Sequence, residues 1–139
     1  MDVSSYAYLA GIVDGEGWIT LRKDGRNGSG RIVGVLGIGN TSKELIDWIH
    51  DNFGGRVQSD NLGYYLNHKS EKVPCKERYR VIWGGKESAE LLPHLLPFLL
   101  VKYNKARCFL DLCAASDFTH RGRNDRYSQE LAYATFLVS

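Results

Sequence analysis

The sequence is poor in the residues that cross-link or anchor a chain. Its three cysteines, Cys75, Cys108 and Cys113, are an odd number with no Cys-x-x-Cys spacing, and its four histidines, His50, His68, His94 and His120, lie far apart. That pattern argues against a disulfide framework and against a zinc site. Long apolar runs are also missing: Leu91 to Val101 is interrupted by Pro93 and Pro97 and ended by Lys102, so no membrane span is expected. Met1 opens straight into Asp2-Val3-Ser4-Ser5, so no signal peptide is expected. The expected location is intracellular, in the cytoplasm or nucleoid or in an organelle matrix. What remains, 139 residues of which 43% are hydrophobic, is enough for one domain with a real core.

Net charge is nearly absent too, at +2, but it is unevenly spread. Arg22, Lys23, Arg26 and Arg31 face only Asp24 in the segment 22–31, and seven basic residues face three acids in the segment 56–86. The rest of the chain is therefore net acidic. Positive charge gathered on two strand-rich segments fits a polyanionic partner, or else solvated hairpin surfaces.

The order of elements follows from periodicity. Ser4 or Ser5 can cap a helix over Tyr6 to Asp14, with Leu9, Ile12 and Val13 on one face. Ala7, Ala10, Gly11 and Asp14 form another face, small enough to admit a close helix neighbour. Trp18 to Lys23 alternates as a strand, with Ile19 and Leu21 opposite Trp18, Thr20 and Arg22, and leads into the glycine-rich run 24–30. The return strand, Arg31 to Gly39, sets Ile32, Leu36 and Ile38 against Arg31, Val33, Val35 and Gly37. Asn40-Thr41-Ser42 then offers caps for a helix over Lys43 to Phe53, closed by Gly54-Gly55.

A second strand-rich block, Arg56 to Trp83, ends in a strand that alternates Arg78, Arg80 and Ile82 with Tyr79, Val81 and Trp83. One helix follows through Leu91, Leu92, Leu95 and Leu96, and a second is predicted to start at Pro97 and carry Leu100, Lys102, Ala106 and Phe109. A basic loop, Thr119 to Arg123, precedes a terminal helix from Arg126. The predicted class is α+β with an antiparallel sheet and packed helices. We expect a domain over residues 1–117, with the basic loop and last helix, 118–139, packed on it. The glycines Gly34, Gly37 and Gly39 lie inside a strand and form no phosphate loop.

The stretch Leu9-Ala10-Gly11-Ile12-Val13-Asp14-Gly15-Glu16-Gly17 puts two acids at a helix C-terminus. The macrodipole disfavours them there by up to about 1 kcal/mol each unless a donor group or cation compensates. A divalent metal would compensate; a glycine C-cap with two solvated acids is the other reading.

This stretch, LAGIVDGEG at positions 9 to 17, resembles the signature of the LAGLIDADG homing endonucleases. The order of elements over about Tyr6 to Ala115 is similar to one copy of that family's αββαββα unit, and the motif occurs once. The resemblance implies a saddle-shaped sheet and a homodimer joined through Ala7, Ala10, Gly11 and Asp14. It implies site-specific, metal-dependent cleavage of both strands of a long pseudo-palindromic DNA site, leaving short 3′ overhangs. Glu16, with Gly15, is the implied ligand of Mg2+ or Mn2+, with no small-molecule cofactor. Lys102 resembles the family's active-site lysine and Asn40 its polar residue near the attacking water. Asp14 matches an acid of chiefly structural role.

On the same resemblance, the sheet reads double-stranded DNA in the major groove. The implied contacts are Thr20, Arg22, Asp24, Arg26, Asn27, Arg31, Val33 and Val35 on the first hairpin, and Arg56, Gln58, Arg78 and Arg80 on the second block, where Arg suits guanine and Gln adenine. Lys69, Lys72, Lys76, Arg121 and Arg123 are implied phosphate contacts. Two alternatives stand beside this reading. One is a non-cleaving relative, a DNA-binding regulator or an intron maturase that binds RNA; the other is a small structural dimer.

Overall fold

The computed structural model describes residues 2–24, 31–59, 63–115 and 126–138. The elements run α1 (Val3–Glu16), β1 (Gly17–Asp24), β2 (Arg31–Asn40), α2 (Lys43–Phe53), β3 (Arg56–Ser59), β4 (Tyr64–Leu66), β5 (Lys72–Pro74), β6 (Tyr79–Trp83), α3 (Gly85–Leu95), a single 3-10 turn (Leu96–Phe98), α4 (Tyr103–Ala115) and α5 (Arg126–Leu137). This is the expected α+β, αββαββα arrangement, with a small β4–β5 hairpin inserted in its second half.

Four strands form one antiparallel sheet in the order β1-β2-β6-β3. Alternation decides its two faces. Ile19, Leu21, Leu36, Ile38, Val81 and Trp83 point to one side and are buried against α1, α2, α3 and α4. There they meet Leu9 and Val13 of α1, Ile46 and Ile49 of α2, Leu92 and Leu95 of α3, and Phe109 and Leu112 of α4. The Trp83 indole N–H donates to the Phe53 carbonyl at 3.0 Å, and the Trp83 carbonyl accepts from buried Ser88 Oγ at 2.9 Å, so this large ring enters the core with its polar groups paired. The helices cover one face only.

Two β2 glycines lack a Cβ because other side chains fill that space. A Cβ on Gly34 would fall 2.2 Å from the Phe109 ring, and one on Gly37 would fall 2.2 Å from the Trp18 indole. β2 is thus a strand over which rings lie close to the backbone.

Several boundaries differ from the sequence reading, each for a local reason. α1 starts at Val3 with Asp2 as its N-cap, whose carboxylate accepts from Ser5 N–H at 2.8 Å; Ser4 and Ser5 lie inside the helix. It continues through Glu16, because Gly17 enters β1 in an extended conformation and its N–H still donates to the Val13 carbonyl. α2 starts as expected, with Ser42 Oγ accepting from Leu45 N–H at 3.2 Å. Pro97 does not start a long helix. It sits in the 3-10 turn, and Leu100, Val101 and Lys102 form a non-helical link before α4.

The β4–β5 hairpin is closed by Asn67, whose side-chain oxygen accepts from Lys69 N–H at 2.9 Å and Glu71 N–H at 3.0 Å. α5 packs on α4 and against β1, with Lys105 Nζ 5.8 Å from the centre of the Phe136 ring. The three cysteines are free thiols, and burial pushes that of Cys113 up to about 12. Among the described residues no helix is long and apolar enough to cross a membrane.

Candidate active site and nucleic-acid interface

The last turn of α1 carries both acids of the motif, and they point different ways. Asp14 turns inward. Its carboxylate accepts from the backbone N–H groups of Leu100 at 2.8 Å, Val101 at 3.1 Å and Lys102 at 3.0 Å. The contact is reciprocal, since Lys102 Nζ donates to the Asp14 carbonyl at 2.8 Å. The cost of an acid at a helix C-terminus is therefore met within the chain, by three amides and by an ammonium on a carbonyl that the helix leaves unpaired.

Glu16 is exposed and its carboxylate accepts from the Asn40 side-chain N–H2. The Asn40 side-chain oxygen in turn accepts from Ser42 N–H at 2.7 Å, which fixes the amide so that its nitrogen faces Glu16. Glu16, Asn40, Gly15, Gly17, Gly39, Thr41 and Arg78 line one polar cleft where α1 meets the end of β2. Lys102 stands at the same helix end through its bond to Asp14. Among the described residues, no group of three or more His, Cys, Asp or Glu could hold a metal ion. Among the described residues the cleft holds a single carboxylate, which suits a hard cation only if further oxygens come from elsewhere. Mg2+ is commonly held in that way, by one or two carboxylates and substrate phosphates.

The small face of α1 divides. Ala7, Gly11 and Gly15 lie on an open surface with Tyr8, Ile12, Glu16 and Leu45, and a Cβ on Gly11 or Gly15 would meet nothing within 4 Å. Ala10, expected on that face, is fully buried in the chain's own core, and Asp14 is taken up by the segment 100–102. Helical geometry accounts for this correction: Ala10 lies beside Leu9 and Val13 on the core stripe, which is wider than the three apolar residues of the pattern indicate. Tyr8 and Trp48, in edge-to-face contact at 5.2 Å, border the open face and had no mark in the sequence beyond an aromatic at a helical spacing.

The uncovered face of the sheet carries most of the described candidate contacts, and the register sets them in rows. Thr20 pairs with Val35; Trp18, Gly37, Ile82 and Arg56 form a second row; Gly39, Arg80 and Gln58 form a third. Ile82 was not among the expected contacts. Arg80 Nε donates to Gln58 Oε1 at 3.1 Å, so these two act as one unit. Arg22, Asp24, Arg31 and Val33 lie in β1 and β2 at the far end of the ladder. Lys69 is exposed in the hairpin turn, and Lys72 Nζ lies 4.7 Å from the centre of the Tyr64 ring. Lys76 is exposed beyond β5. Arg26, Asn27, Arg121 and Arg123 fall outside the described residues.

No family model matches the sequence, and no curated protein matches it. Solved structures do. The chain is similar to the homing endonuclease I-CvuI, solved in complex with its target, over 99% of this chain and 83% of that one, at a TM-score of 0.71 and 19% identity. It is also similar to the LAGLIDADG homing endonuclease I-GzeII, solved with a DNA target, over 98% of this chain and 44% of that one, at a TM-score of 0.70 and 13% identity. A third is the archaeal intron-encoded homing endonuclease I-Vdi141I complexed with DNA, with 96% and 98% covered, a TM-score of 0.58 and 14% identity. With the motif at 9–17 at the end of α1 and the sheet open on one face, the chain has the fold of the LAGLIDADG homing endonucleases.

Proposed function

We propose that this protein is a homodimeric, site-specific DNA endonuclease that hydrolyses both strands of a pseudo-palindromic duplex. One observation carries the reading. The exposed Glu16 carboxylate ends a helix whose open face is built from Ala7, Gly11 and Gly15. Two copies meeting on that face bring two such helix ends, and two Glu16 side chains, to one axis.

Each copy then lays an open sheet along half of the site. β2, at ten residues and roughly 3.3 Å per residue, is about 33 Å long, close to one turn of duplex. Thr20, Val35, Arg56, Gln58 and Arg80 face the groove, whose width accepts strands. Lys69, Lys72 and Lys76 supply salt-dependent contacts to phosphates.

At the centre, Glu16 and the Gly15 carbonyl are the ligands this chain would give a divalent ion. When bound, Mg2+ or Mn2+ supplies Lewis acidity to phosphodiester hydrolysis. Asn40 holds the Glu16 carboxylate in one orientation and borders the space for the attacking water. Lys102 has three ammonium donors, of which the Asp14 carbonyl takes one; its charge stabilises negative charge building on the phosphate.

The test is a duplex library holding randomised inverted repeats, incubated with the protein in Mg2+ or in EDTA and sequenced after cutting. Double-strand breaks with short 3′ overhangs in Mg2+ alone are expected. Tight binding without cutting would replace this reading by that of a regulator, and preference for structured RNA would replace it by that of a maturase.

A further inference from the structure

We propose that Arg78 belongs to the Glu16 cleft as a residue that binds the scissile phosphodiester, and is not a base-reading residue of the sheet. This rests on the reading that the chain binds duplex DNA.

Strand parity alone puts Arg78 with Arg80 and Ile82 on the groove face. The register sets it at the very end of that face, beyond the paired rows. β6 begins at Tyr79, whose partner is Asn40, the last residue of β2, so Arg78 lies just past the end of the ladder. Its guanidinium folds over Gly39, on the side where that residue lacks a side chain: a Cβ on Gly39 would be 2.9 Å from Nη2, 3.0 Å from Nε and 3.4 Å from Cζ. Gly39 has no positive φ, so its backbone conformation does not require glycine. What the absent side chain provides is the seat for this guanidinium.

That seat is in the cleft of Glu16 and Asn40, walled by Gly15, Gly17 and Gly39. Glycine walls let a sugar-phosphate backbone approach closely. A planar guanidinium presents paired N–H groups that match two phosphate oxygens, a geometry a lysine cannot copy. A carboxylate held by Asn40 and a guanidinium seated on Gly39 therefore address the two needs of one phosphodiester, activation on one side and charge stabilisation on the other. Arg80 lies two residues on, beside Gln58 in the third row of the sheet.

The experiment uses the full chain and duplexes recovered from the library. A neutral methylphosphonate replaces the cut phosphate or, if nothing is cut, each phosphate of the bound site in turn, and affinity is measured in EDTA. Wild-type protein and Arg80→Ala should each lose about tenfold in affinity at one phosphate per half-site, and Arg78→Ala less than about twofold there. In Mg2+, Arg78→Ala should slow single-turnover cutting by about a hundredfold with its preferred bases unchanged. Gly39→Ala should give a loss of the same kind that does not add to that of Arg78→Ala. Equal methylphosphonate sensitivity in Arg78→Ala and wild type overturns the proposal, as does altered base preference with normal cutting of the new best site. Binding without cutting defeats the nuclease reading alone and leaves the methylphosphonate comparison to decide on Arg78. Absence of duplex binding defeats both.

Discussion

The inner and outer sides of the last turn of α1 carry acids two residues apart with opposite surroundings. Asp14 is enclosed by three backbone amides of the link before α4 and returns the favour through Lys102. Glu16 is exposed and meets the sheet through the Asn40 side chain. Their surroundings decide what each can do. An acid whose oxygens are filled by the chain's own N–H groups fixes the path of that chain, whereas an acid held at one oxygen keeps capacity for something from outside.

Substitutions can break this contrast. The largest effect is expected from Glu16→Gln, which keeps size and hydrogen bonding but removes the charge: cleavage should fall by roughly a thousandfold, about 4 kcal/mol in the barrier, with the melting temperature hardly moved. Full cutting by this variant would remove Glu16 from the chemistry. Asp14→Ala should do the reverse and act first on folding. Loss of a charged acceptor for three amides, partly replaced by water, is expected to cost about 2 kcal/mol, or roughly 4–8 °C in thermal unfolding. An unchanged melting curve would show that the link 100–102 holds its path without Asp14.

A subtler test separates turn from clamp at position 40. Asn40→Asp keeps an oxygen for Ser42 N–H but sets a second carboxylate against Glu16, so stability should hold while cutting slows by about tenfold. The exchange Glu16→Gln with Asn40→Asp restores a donor-acceptor pair, and partial recovery of metal-dependent cutting over Glu16→Gln alone would confirm that pairing matters. The smallest effect concerns the open face of α1. Gly11→Ala meets nothing within the protomer and should stabilise a monomer by up to about 1 kcal/mol through helix propensity. The same variant should weaken self-association in sedimentation; unchanged association would place the dimer contact elsewhere.

Much of this molecule was legible in its residues because two periods dominate it. The period of two in Ile19-Leu21, Leu36-Ile38 and Val81-Trp83 gave the buried face of the sheet directly. Ser42 before Lys43 and Gly54 after Phe53 bounded α2 by cap chemistry alone. Tertiary partners decided the rest. Ala10 is as small as Ala7, and only the sheet behind α1 makes one of them core and the other surface. Pro97 is compatible with a helix start, yet Asp14, 86 residues before Leu100, draws the amides of Leu100, Val101 and Lys102 out of any helix. The β4–β5 hairpin is too short for alternation to show, and the seating of Arg78 on Gly39 joins residues that no spacing rule relates.

The glycines of β2 bear on how such a protein could change over generations. Gly34, Gly37 and Gly39 are each overlain by a side chain from another part of the molecule, so a mutation at any of them must first displace Phe109, Trp18 or Arg78. The strand in contact with the most neighbours is thus the least free to drift. Change in what the open face presents is less costly beside it, at Thr20 on β1, at Arg56 and Gln58 on β3 and at Ile82 and Arg80 on β6, with Val35 on β2 itself. A mutant library that spares the three glycines and varies those six positions should therefore retain folded members far more often than one spread evenly over the sheet.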